Sequence, residues 1–189
     1  MSIRLGVLLL IGALLPVGWN AFAADSGAYQ IEVSKSAREL RVMQGDSVIK
    51  RFHVAYGKGG IGTKRRLGDN KTPDGIYRIV SFRPDSRFFF FMQLDYPNVL
   101  DAWHGYRDNL IDASEFRAIA AAYQGGSAPP QNTALGGFIG IHGIGKVTDK
   151  KLDIHASNNW TEGCLALTNH EISELREYVA LGTRVVIRE

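Results

Sequence analysis

Residues 29–54 read YQIEVSKSARELRVMQGDSVIKRFHV, and their alternation sets the fold class. Tyr29, Ile31 and Val33 alternate with polar residues, as do Leu40 and Val42. Period-two alternation marks a strand with one buried face. Gln44-Gly45-Asp46 is a turn signal, so the segment from Val48 to Val54 returns as the second arm of a hairpin. Further strands are expected at Ile76–Val80, Phe88–Met92, Phe138–Ile141 (short and buried) and Arg184–Ile187. The core is therefore mainly β.

Two segments follow a helical period instead. Between Asp112 and Tyr123, the residues Phe116, Ile119, Ala120 and Tyr123 fall at i, i+3, i+4 and i+7. Asp112 and Glu115 are spaced as a capping box, and Gly125 lies just past the end. This predicts a helical insertion over about 104–125, which either borders the site or shields a sheet face with its Phe116 and Ile119 side. Thr168 and Glu171 form a second capping box, opening a helix with Ile172, Leu175 and Val179 on one face and a stop at Gly182. The Gly, Pro and Ser-rich stretch 125–136 (GGSAPPQNTALG) reads as a loop.

At the amino terminus, Arg4 precedes LGVLLLIGALLPVGW and then Ala21-Phe22-Ala23, the architecture of a signal peptide over residues 1–23. The alternative is an uncleaved anchor. Removing the segment takes away one basic and no acidic side chain, lowering the formal charge from +3 to +2. The remaining chain, with the domain read over 29–189, has the length of one domain. Its near-neutral balance gives no argument for nucleic acid, and no later segment is apolar enough to span a membrane. The expected location is periplasmic or otherwise extracytoplasmic.

Export makes the only cysteine, Cys164, informative. Such a thiol is a buried small hydrophobe, an intermolecular crosslink or a reactive group. A nucleophilic thiol needs a base, and histidine is the usual supplier. Of the five histidines, His142 is favoured because it ends the strand 138–141 and precedes Gly143; His155 is second, and His53, His104 and His170 read as surface or packing residues. No Cys/His/Asp cluster has zinc spacing, and no cofactor is expected. The glycines of GKGGIGTK (57–64) look superficially like a phosphate loop, but they lack the Gly-Lys-Ser/Thr that opens a helix, so the segment reads as a crossing loop.

His142-Gly143 followed by Thr161-Glu162-Gly163-Cys164-Leu165 resembles the motif of the L,D-transpeptidase catalytic domain (YkuD) family. Upstream, Gly57, Gly62, Lys64, Gly68-Asp69 and Thr72-Pro73-Asp74-Gly75 match a second family pattern. The resemblance covers residues 29–189 and implies a β-sandwich or mixed-sheet domain with a helix after the catalytic cysteine. It implies Cys164 as nucleophile, His142 as base, Gly143 as the carbonyl that orients the imidazole, and Gly163 as the residue that lets substrate approach the oxyanion donors. It also implies Trp160 and Thr161 as substrate contacts. The implied partners are peptidoglycan stem peptides and, through hydrolytic members, a wall-linked lipoprotein. The implied reaction is a thioester on the L-centre of diaminopimelate, passed to an amine or to water. Two departures stand out: Glu162 replaces the usual His before Gly-Cys, and Ala166 replaces the usual Arg or Asn two residues after the cysteine. Ala166 suggests a hydrolytic preference, or else a packing residue with no bearing on it. An inactive wall-binding module and a free-thiol redox protein are the competing functions.

Overall fold

The computed structural model describes residues 28–84 and 87–189, so the signal-peptide reading of residues 1–23 lies outside the described residues. The strands are β1 (Tyr29–Ser34), β2 (Glu39–Gln44), β3 (Ser47–His53), β4 (Gly75–Pro84), β5 (Phe90–Leu94), β6 (Gly140–His142), β7 (Leu165–Ala166) and β8 (Arg184–Arg188). The helices are α1 (Val99–Arg107), α2 (Ala113–Gln124), α3 (Asp149–Ser157) and α4 (Asn169–Leu175). All eight strands form one mixed sheet in the order β3-β2-β1-β8-β4-β5-β6-β7, in which β1 with β8 and β6 with β7 are the parallel pairs. The mainly β expectation holds.

The alternation in 29–54 does what period two requires. Ile31, Val33, Leu40 and Val42 are all buried in the main core, beside Tyr77, Ile79, Met92 and Leu94 from the central strands. The sheet curls until its two edges meet. Beyond β3, Ala55 exchanges both backbone hydrogen bonds with Ala166 of β7, at 3.0 and 2.7 Å, and Lys58 donates to the Thr161 carbonyl at 2.8 Å. Cys164 is therefore stitched in from both sides, by β6 and by the chain leaving β3.

Several boundaries move for local reasons. Phe89 and Phe138 have φ of 73° and 53°, left-handed values that break an extended chain, so β5 and β6 start at Phe90 and Gly140. The carboxy-terminal helix stops at Leu175, passes through a 3-10 turn at Arg176–Tyr178, and becomes extended at Val179. Gly182, with φ of 86°, turns the chain into β8 rather than ending a helix. Segment 57–74 crosses from the β3 edge to β4, two strands that are not neighbours in the sheet.

The α2 capping box forms as read, with Asp112 accepting from Ser114 and Glu115 and the Glu115 carboxylate accepting the Asp112 N–H. Two helices had no clear signal. In α1 the large apolar side chains Leu100, Trp103 and Tyr106 face outward while Ala102 and Gly105 face in, which inverts the pattern that marks a helix face. A Cβ on Gly105 would sit 2.6 Å from a Leu135 methyl, so the helix lies close against that loop. Together α1 and α2 bury a small satellite core of Ala102, Ile111, Ile119 and Leu135, and the helical pair begins at Val99 rather than near 104. In α3 only His155 is buried, leaving no apolar stripe to read.

Candidate active site

His142 ends β6, across from Phe91 of β5. Its imidazole is 2 % exposed and packs against three rings: Phe88 stacked at 4.2 Å, Phe91 at 6.1 Å and Trp160 edge-on at 6.0 Å. The Nδ1 lies 2.7 Å from the carbonyl of Gly143. A carbonyl only accepts, so Nδ1 carries the proton and Nε2 presents a lone pair. Burial lowers the His142 pKa to about 4, so the ring is neutral at neutral pH. Gly143 itself is tightly enclosed, since a Cβ there would lie 2.6 Å from Asn169 Oδ1 and 2.9 Å from the Phe88 carbonyl. Asn169, the first residue of α4, holds the following loop by accepting the Gly145 N–H and donating to the Gly145 carbonyl.

Cys164 immediately precedes β7, whose Leu165 and Ala166 pair with Ile141 and His142. The thiol and the imidazole thus open into one cavity of about 1110 Å³ from neighbouring strands. The thiol donates to the Phe138 carbonyl at 3.3 Å. Burial pushes its pKa up to about 11, against the opposing pull of the Gly140 backbone and of Lys64, Arg83 and Arg87. The resting pair is therefore a neutral thiol and a neutral imidazole. Among the described residues no group of acidic, His or Cys side chains could hold a metal ion. No helix among them is long and apolar enough to cross a membrane.

A profile of the L,D-transpeptidase catalytic domain (YkuD) matches residues 28–187. The chain belongs to this family. It is 33 % identical over 87 residues to YafK of Escherichia coli K12, provisionally named an L,D-transpeptidase; the match covers 43 % of this chain and 35 % of YafK. The helical cell shape determining protein Pgp2 of Campylobacter jejuni superposes with a TM-score of 0.56 at 22 % identity, covering 87 % of this chain and 49 % of Pgp2. Bd1075 of Bdellovibrio bacteriovorus superposes with a TM-score of 0.53 at 22 % identity, covering 86 % and 48 %. The chain thus spans about a third of the curated relative and about half of these solved structures, and the structural likenesses show a shared fold.

Within this L,D-transpeptidase domain, four residues read from the motif occupy places the sequence left open. Thr161 is 4 % exposed and its hydroxyl is occupied on both sides, donating to the Cys164 carbonyl at 2.6 Å and accepting the Gly163 N–H at 3.2 Å. It shapes the cysteine loop and also lines the cavity. Gly163 has φ of 133°, and a Cβ there would meet the Lys71 carbonyl at 2.7 Å and Ile139 at 2.9 Å. Glycine is needed there for the positive φ and for close packing against Lys71 and Ile139, and its N–H donates to the Thr161 hydroxyl. Trp160 lines the cavity, and its indole N–H donates to His155 Nδ1 at 3.3 Å. Ala166 is fully buried between His142 and Ala55, where it is a packing residue of the sheet.

His155 sits behind Trp160, outside the residues that line the cavity, which removes it as the alternative base. Glu162 is on the rim, 3.6 Å from Lys58. Neither α1 nor α2 contributes a lining residue, so α2 does not border the cavity; α3 does, through Lys151. Thr72, within the quoted Thr-Pro-Asp-Gly motif, braces Gly163. Arg83, Arg87 and Lys151 line the cavity from separate segments and carried no signal in the sequence.

Proposed function

We propose that this chain is a peptidoglycan-modifying cysteine enzyme in which Cys164 is the nucleophile and His142 the base. The observation that carries this reading is the opening of Cys164 and a tautomer-fixed His142, with its Nε2 lone pair available, into one cavity. The sulfur attacks the carbonyl at the L-centre of diaminopimelate in a wall stem peptide as the thiol proton passes to Nε2. Collapse of the tetrahedral intermediate returns that proton to the departing amine and leaves a thioester on Cys164. An amine from a second stem peptide then gives a cross-link, while water gives hydrolysis; a bond to a wall-linked lipoprotein is a further substrate of the same chemistry. The site of action is the extracytoplasmic wall, where a role in cell shape, like that of the cell shape determining protein Pgp2, is consistent with this activity.

Incubation with a carbapenem, read by intact-protein mass, should add the mass of the drug at Cys164. Muropeptide analysis of sacculi treated with enzyme should show new cross-linked or trimmed species. An unmodified Cys164 together with unchanged muropeptides would return the chain to a wall-binding role.

A further inference from the structure

The attack step leaves three cations in the cavity without a task. Arg83 lies near the end of β4, Arg87 just before β5, and Lys151 in α3; all three line the cavity that holds Cys164. Each rests on an aromatic ring of the same cavity. The Arg83 guanidinium is 4.5 Å from the Phe91 centroid and 5.6 Å from that of Phe138. Arg87 lies 4.6 Å from Phe88, and the Lys151 ammonium 5.8 Å from Trp160. Contact with a ring face fixes a cation in place without neutralising it.

Among the described residues, none of these three forms an ion pair. Lys64, a fourth cation of the cavity, is neutralised by Asp69 at 2.8 Å. Among the described residues the one carboxylate of the lining, Glu162, is 81 % exposed and turned toward Lys58. Among the described residues the cavity therefore holds a surplus of positive charge beside aromatic rings, with Arg83 and Arg87 exposed to it and free to donate charge-assisted hydrogen bonds to an anion.

We infer that Arg83, Arg87 and Lys151 make this cavity selective for acyl donors that carry free carboxylates, an acidic peptide with at least two of them, over the same peptide in amidated form. The inference rests on the proposed function above and specifies its substrate. Guanidinium groups suit carboxylates because they donate two parallel hydrogen bonds; an uncharged amide offers a weaker acceptor and adds donors that face donors.

Two measurements on the full chain test it. The first compares cleavage of a disaccharide tetrapeptide with free carboxylates against its fully amidated counterpart. The free acid should show a KM lower by about tenfold or more, the scale of one charge-assisted contact. Arg83→Gln and Lys151→Gln should each shrink that ratio. The second measures calorimetric binding of both peptides to Cys164→Ala, which reads charge selectivity without any chemistry. Equal affinity and equal KM for the two peptides would overturn the inference while leaving the cysteine mechanism in place. Selective binding to Cys164→Ala with no acylation of the unmodified chain would instead sink the proposed function and keep the cationic recognition site.

Discussion

The hydroxyl of Thr72 donates a 2.9 Å hydrogen bond to the carbonyl of Gly163 and accepts the Gly57 N–H at 2.9 Å. One side chain thus ties the crossing loop to the cysteine loop. Thr72→Val removes it and strands a buried N–H and a buried carbonyl, at a cost of about 1–3 kcal/mol each. The denaturation midpoint should fall and turnover should drop, with both largely restored in Thr72→Ser. A Val variant as stable and active as the parent would show that the brace has no part in holding the loop.

Gly163→Ala should be worse than its size suggests. The residue sits at φ of 133°, and the added methyl meets the Lys71 carbonyl at 2.7 Å. Strain in this region of about 1–3 kcal/mol must be relieved by moving the loop that carries Cys164. Activity should fall more than stability, read as turnover against urea midpoint.

The neutral resting pair makes a definite pH prediction. With burial holding the thiol near 11 and His142 near 4, iodoacetamide should alkylate Cys164 slowly at pH 7, with a rate that keeps rising toward pH 11. A plateau reached by pH 6 would mean a standing thiolate and imidazolium instead. The folded His142 binds its proton less readily than the unfolded ring, whose ordinary value is 6.5. The unfolded chain therefore takes up the proton first, and stability falls by about 1.4 kcal/mol per pH unit as pH drops from 6.5 toward 4.

His155→Phe keeps a ring behind Trp160 but removes the acceptor of its indole N–H. Trp160 should loosen against His142, shifting its fluorescence in a background carrying both Trp19→Phe and Trp103→Phe, and lowering kcat several-fold. Burial holds His155 below its ordinary pKa, so in the parent this bond should persist into mildly acid solution, before protonation of Nδ1 turns the acceptor into a donor.

Asp101 caps α1 from inside, accepting the Asn98 N–H and the Tyr77 hydroxyl on a single oxygen, each at 3.0 Å. Burial raises its pKa from 3.8 to about 6. The penalty for ionising it is absent below about pH 4 and complete above about pH 6. Asp101→Asn keeps an oxygen for both bonds and removes the charge, so it should stabilise the protein above pH 6 by up to about 3 kcal/mol and flatten the stability profile between pH 4 and 6. Thermal melts across that range read the effect directly.

Residues 29–54 and the capping boxes at Asp112 and Thr168 were legible because their information is local. A strand with one wet face needs period two, and an orphaned helix N-terminus needs an acceptor three residues ahead of a partner. α1 and α3 were not legible, because a helix lying against a loop through Ala102 and Gly105, or burying only His155, has no apolar stripe. Left-handed turns at Phe89 and Phe138 moved strand starts that composition alone placed earlier.

The sequence by itself determined the family, the mainly β core and the two residues, His142 and Cys164, that chemistry would single out. Only the tertiary structure decided that Thr161, Gly163 and Ala166 take part in loop and sheet packing, that Thr72 braces the cysteine loop, and that Arg83, Arg87 and Lys151 share one cavity. A motif records residues close along the chain, whereas the charge and shape of a cavity depend on where the curl of the sheet brings separate segments together.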